Sequence, residues 1–188
     1  ILLALRRILS FRTNKNIEKK ILDAAIWITV ASFFYFWSLL FFFVLFFALL
    51  RKPNTNYKEL LIPIIGFLGI LVLVTAYYFL VTNSFSWFFD WKTSISKDFF
   101  AYNGLRLLVP AAIMITFLIW AGLSRVFKIS VLQKKERSNA VIILIAVVTT
   151  IFMALDSPQK TGAEMLFIIG PLAMISNNYI ESSKEIWF

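Results

Sequence analysis

The stretch LLIPIIGFLGILVLVTAYYFLVT, residues 60–82, runs for 23 residues without a charge. As a helix rising about 1.5 Å per residue it is about 35 Å long, and a hydrocarbon core of about 30 Å needs about 20 apolar residues. No polar residue recurs at the three- or four-residue spacing that would give the helix a face for water. The stretch therefore predicts a membrane-spanning helix, with Pro63 in its first turn, where a missing N–H costs least.

The same property recurs on both sides. Residues 107–124 are uncharged, with Pro110 near their start, and so are residues 139–155. Residues 165–180 are also apolar but contain Pro171, Asn177 and Asn178. Residues 21–50 form the longest run, with Asp23 as its one charge. Of the 188 residues 60% are apolar and 15% charged, against about half and about a quarter in an ordinary globular chain. The fold class expected is all-α: a polytopic transmembrane helical bundle of about five to six membrane helices, forming a single transmembrane domain over 1–188. The apolar opening Ile1 to Leu5, followed by Arg6 and Arg7, reads as the tail of a preceding span, and Glu181 to Phe188 stops inside a new amphipathic segment. An internal or C-terminal fragment is expected.

The net charge is +9, and 14 of the 19 Lys and Arg residues lie in three clusters flanking apolar runs. That placement is how short loops mark the cytoplasmic side, so segments 1–20, 51–59 and 125–138 are expected to face inward. Loops 83–105 and 156–164 have no basic excess and are expected to face outward. The partner implied is membrane lipid, not nucleic acid, because no soluble domain carries a basic patch. Residues 21–50 would then have both ends inside. At about 45 Å they are too long for one upright helix and too short for two full ones. The preferred reading is a short helix pair breaking near Tyr35 to Ser38; the alternative is one long tilted helix.

Eight aromatic residues fall within 84–104: Phe85, Trp87, Phe88, Phe89, Trp91, Phe99, Phe100 and Tyr102. Such rings favour the headgroup region, so a short helix on the outer surface is expected, with Asp90, Lys92, Lys97 and Asp98 toward water.

The chain has no cysteine and no histidine, which removes thiol nucleophiles, thiolate and His metal sites, and His general bases. No glycine-rich phosphate loop or Ser nucleophile elbow is present, and no cofactor or metal is expected. Asp23 is an intramembrane-charge candidate; the plainer reading pairs it with Lys19 or Lys20 in a first helical turn. Arg106, at the mouth of its span, is a candidate for holding a lipid phosphate or a snorkelling anchor. Asp90 and Asp98, with Asp156 and Glu164, are outward carboxylates that could serve as base or metal ligand on a lipid-linked sugar. They are also what remains outside when basic residues are kept inside. Asn177 and Asn178 suit hydrogen bonding between helices, and Gly66 and Gly69 suit close helix approach.

The run EKKILDAAIW, residues 18–27, continued by ASFFYFWS, residues 31–38, after the Arg6–Arg7 pair, resembles an uncharacterised family of multi-spanning inner-membrane proteins of Bacteroidetes. Pro63 to Gly66 and Gly170 to Leu172 sit where that family's apolar helices would place them. The resemblance implies a bacterial inner-membrane location and assigns no activity or site residue. Some members are labelled carotene-cleaving oxygenases, an activity that would need iron-binding histidines, and this sequence has none. The helix pattern is also similar to membrane glycosyltransferases that use polyprenyl-phosphate sugars, an analogy of fold that transfers function poorly. Three functions compete. The favoured one is a non-catalytic component of cell-envelope biogenesis, with other membrane proteins as partners. The others are an enzyme acting on a polyprenyl-phosphate-linked sugar at the outer face, and a transporter.

Overall fold

The computed structural model describes residues 1–13, 16–52, 56–91, 99–130, 134–158 and 160–182; the side chains of Arg12, Asp90, Ala101, Lys134, Lys135 and 178–182 also lie outside the description. The described residues form eight α-helices: α1 Leu2–Leu9, α2 Ile17–Phe34, α3 Phe41–Leu50, α4 Tyr57–Thr82, α5 Trp87–Asp90, α6 Leu105–Lys128, α7 Lys134–Leu155 and α8 Leu166–Ser182. Four short 3-10 turns, Ser10–Arg12, Phe36–Leu40, Phe100–Asn103 and Ala163–Met165, join or precede them. No strand occurs among the described residues, so the all-α class holds. Three helices are long and apolar enough to cross a membrane: Tyr57–Thr82, Leu105–Lys128 and Glu136–Leu155. Phe36–Leu50 and Ala163–Asn177 are shorter apolar segments. The chain divides into two compact units, Ile1–Ile95 and Ser96–Phe188.

In the first unit α2 is the central element, with α1 and α4 packed along it and α3 against its far end. The core is built from one stripe of each short helix. Ala4, Leu5 and Ile8 of α1 are fully buried, as are Ile21, Ala24, Ala25 and Ile28 of α2 and Phe41, Val44 and Leu45 of α3. Spacings of three and four residues place each set on one helix face. The run expected to contain a break does contain one. Tyr35 takes extended backbone (φ −149°, ψ 105°) and ends α2, and a 3-10 turn then leads into α3. Segment 1–20, expected as a cytoplasmic flank, is largely helical: α1 packs its apolar stripe on α2 and carries Arg6 and Arg7 in its last turn.

The break strands the last carbonyls of α2 among apolar side chains, and the end of this unit supplies a donor. The Trp91 indole N–H donates to the carbonyl of Ser32 at 2.9 Å. The Trp91 ring also stacks on Phe33 at 5.2 Å and meets Phe36 edge-on at 5.4 Å, while Trp87 stacks on Tyr78 at 5.7 Å. Part of the aromatic loop thus has a structural task. Trp87, the first residue of the short helix α5, is buried because its ring completes an aromatic cluster at the helix ends, whereas Phe88 and Phe89 beside it are exposed. Lys92, Lys97 and Asp98 lie outside the described residues.

In the second unit α8 packs against both α6 and α7. Ala154 of α7 and Ile168 and Leu172 of α8 form its core, with Met114 and Leu118 of α6 against them.

Pro63 is not in a first turn, as the apolar run suggests. The helix starts three residues earlier, at Tyr57, so Pro63 is its seventh residue. The polar turn Tyr57 to Glu59 extends the helix because Glu59 has its own partner: Lys52 Nζ reaches its carboxylate at 2.6 Å and 2.7 Å, and both side chains are largely buried. An acid in a first turn also faces the positive end of the helix dipole.

Gly66 and Gly69 separate in their roles. A Cβ on Gly66 would stand 3.0 Å from Ala25 Cβ, at the closest approach of α4 to α2, whereas one on Gly69 would meet nothing within 4 Å. Gly66→Leu is expected to lower stability in detergent by about 1–3 kcal/mol, the cost of overpacking a close contact. Gly69→Leu is expected to be neutral or to stabilise by up to about 1 kcal/mol through helix propensity. Thermal unfolding of the two variants followed by circular dichroism checks the contrast, and equal effects would contradict it.

Candidate functional site

The candidate residues from the sequence fall in different places. Asp23 lies on the first turns of α2 with its side chain 40% exposed and pairs with Arg7 at 3.1 Å. Neither Lys19 nor Lys20, the partners expected from helical spacing, makes this ion pair. Lys20 Nζ instead donates to the carbonyls of Ser10 (2.9 Å) and Thr13 (2.8 Å) and to Thr13 Oγ1 (2.6 Å). These acceptors lie in and just after the 3-10 turn that follows α1, where an ammonium can spend its three protons on oxygens close together. Arg106 is the second residue of α6 and is exposed. The side chain of Asp90 and all of Asp98 lie outside the described residues, and Asp156 is half-buried. Asn177 is exposed on α8, and the side chain of Asn178 lies outside the description.

Glu164 is different. It is 3% exposed, in the 3-10 turn that leads into α8. Its Oε1 accepts the Tyr102 hydroxyl at 2.7 Å, and its Oε2 is buried with no hydrogen-bond partner among the described residues. Burial, then the hydrogen bond to Glu164 and its charge, push the Tyr102 phenol well above its ordinary range. Tyr102 therefore stays a donor at any physiological pH.

Lys160, also buried, completes the group. Its Nζ donates to the carbonyls of Ala154 at 2.9 Å and Leu155 at 2.5 Å and stands 4.9 Å from the centre of the Phe99 ring. Those carbonyls belong to the last turn of α7, where the helix dipole is negative and the usual donors have run out. Glu164 stands at the start of α8, where the dipole favours an anion. Gly162 makes the turn between them possible with φ +89°, where a Cβ would collide with Leu107 Cδ2 at 2.7 Å.

Tyr102, Lys160 and Glu164 are among the residues around a 520 Å³ cavity whose other walls are Phe99, Met165 and apolar side chains of α6, α7 and α8. That volume lies within the range of small-molecule sites, about 300–1,000 Å³. Arg106 is not among the lining residues. The first unit has its own cavity of 620 Å³, walled by residues that include Phe33, Phe34, Tyr77, Tyr78, Trp87 and Trp91. Among the described residues no three His, Cys, Asp or Glu side chains gather as a metal set would require.

Sequence reasoning named Glu164 as one of four outward acids but missed Tyr102 and Lys160. Tyr102 was hidden among seven other aromatic residues in its loop. Lys160 had a usable signal: it stands five residues after the last residue of α7, within reach of that helix's carbonyls.

These helices make the chain an all-α protein with membrane-span helices. Residues 58–142 match the model of a protein family of unknown function, DUF1418, a similarity that runs from the first turn of α4 into α7. No curated protein and no solved structure matches the chain.

Replacing Lys160 by Met keeps the side chain's length and removes its donors. This is expected to cost about 2–3 kcal/mol, as for loss of a charge-assisted hydrogen bond in a buried setting, while Lys160→Arg retains most of the stability. Thermal melts of both variants in the same detergent test the capping role. An unchanged melt for Lys160→Met would remove it.

Proposed function

We propose that the chain is a non-catalytic component of cell-envelope biogenesis, embedded in a bacterial inner membrane and working through contacts with lipid and other membrane proteins. The observation that carries this is the surface of the long helices. Only 11% of the most apolar window of α4, and the same share in α6, is buried within the chain. Leu61, Ile65, Leu68, Val72, Tyr77 and Leu80 of α4 are all more than half exposed and point to several sides of the helix. A helix apolar all round needs lipid or neighbouring helices around it. The resemblance to multi-spanning inner-membrane proteins of Bacteroidetes supports the location.

In this reading segments 1–20, 51–59 and 125–138 face the cytoplasm. The chain enters through α2 and returns through residues 36–50. The two legs are short helices that enter and return without full-length crossings, and the basic residues at both ends support entry and exit on the same side. The absence of cysteine from the sequence makes the arrangement directly testable. Ser130→Cys is expected to react with an impermeant maleimide only after the membrane is opened, and Ser86→Cys in intact cells. Labelling of Ser130→Cys in intact cells would reverse the sides.

The non-catalytic role has a separate test. Arg106→Ala in the full-length protein is expected to leave surface glycan at its normal level. A several-fold loss of glycan at normal protein abundance would replace this reading with that of an enzyme for lipid-linked sugars.

A further inference from the structure

The cavity of the second unit is lined almost wholly by apolar atoms, with the buried Glu164 carboxyl behind the wall near the start of α6. Its apolar wall follows α6 from Leu108 to Ile119, twelve residues and so about 16 Å of helix from first to last. That is close to half of a hydrocarbon core about 30 Å thick, the depth of one leaflet. Leu108, Ile115 and Ile119 are each about half exposed (47%, 51% and 52%), so the cavity is open along the flank of the helix and a chain can enter from the side. At the end where α6 begins, α7 ends and α8 begins stands Glu164, with one oxygen given to Tyr102 and the other unpartnered among the described residues.

The polar end is asymmetric in what it has left to offer. Two of the three protons of Lys160 go to the carbonyls of α7, and the ammonium faces the Phe99 ring besides. Its capacity is therefore largely committed. Glu164 makes no ion pair among the described residues, and a buried carboxylate oxygen without a donor is costly. The terminal torsion of a Glu side chain is broad, so the carboxyl group can turn toward a donor that enters the cavity.

We propose that this groove holds one phospholipid molecule, with an acyl chain along α6 and a primary ammonium, as in an ethanolamine headgroup, donating to Glu164. The inference rests on the chain lying in a bilayer and not on whether the protein is catalytic. An ammonium supplies both the missing proton donor and the opposite charge. A choline headgroup has the charge but no N–H, so comparing the two isolates the hydrogen bond.

The test uses the full chain purified in mild detergent, offered ethanolamine and choline phospholipids with identical acyl chains, with bound lipid counted by native mass spectrometry. The wild type is expected to retain about one ethanolamine lipid per chain in preference to choline by about tenfold, equivalent to one charge-assisted hydrogen bond. Glu164→Gln is expected to bring the two lipids to near parity while still binding. Ala112→Trp, which fills the groove away from the polar end, is expected to lower both alike, with circular dichroism confirming that both variants fold. Equal retention of the two lipids by the wild type, or a preference that survives Glu164→Gln, would overturn the proposal. So would a lipid-free dimer that Ala112→Trp dissociates, which would give the groove to a second copy of the chain. Membrane extraction that needs no detergent would instead defeat the bilayer placement itself.

Discussion

A helix that stops among apolar side chains has no water to satisfy its last carbonyls, and each such end must find a donor in the protein. Both units of this chain answer that demand with a side chain from a neighbouring loop. At the end of α2 the donor is the indole of Trp91, which reaches the carbonyl of Ser32. At the end of α7 it is the ammonium of Lys160, shared between Ala154 and Leu155. The end of α4 uses backbone: Asn83 takes the left-handed conformation (φ 49°) and returns its N–H to the carbonyl of Phe79. The loops are thus held by the helices they serve, and the positions of Trp87, Tyr102 and Glu164 follow from where those caps must be.

The helices were legible in the sequence because hydrocarbon thickness imposes a length, and an uncharged run of that length is seldom compatible with water. Their ends were less legible. An apolar run measures the part of a helix that avoids water, while the helix itself continues as long as its backbone is satisfied. So α4 begins at Tyr57 and not Leu60, and α6 runs on through Arg125 and Lys128, whose charges suit its C-terminal dipole. The break at Tyr35 was anticipated from a conflict between charge and length. The indole that makes that break tolerable was not, since Trp91 is far away in sequence and looks like any interfacial ring.

Charges told a similar story. Basic residues in short loops could be read as a group, but the choice of partner belongs to tertiary structure. Helical spacing offered Asp23 two lysines, and α1 instead brought Arg7 to it while Lys20 turned to the carbonyls of Ser10 and Thr13. Lys52 and Glu59, read only as loop charges, form a pair that is more than nine-tenths buried at the start of α4. Pairing is what makes that burial tolerable, since removing either partner would leave one charge desolvated.

The candidate site shows why four outward acids could not be ranked from sequence. What distinguishes Glu164 is Gly162, two residues before it, whose positive φ reverses the backbone between two helix ends. On one side of that reversal Lys160 points back to the negative end of α7. On the other Glu164 sits at the positive end of α8, and Leu107 of α6 closes against the glycine where a side chain would otherwise be. One short loop therefore places opposite charges at opposite helix poles, each stabilised locally, so that neither needs the other. Because two of the Lys160 protons are spent on carbonyls, one oxygen of the Glu164 carboxylate is left without a donor among the described residues, beside an apolar groove.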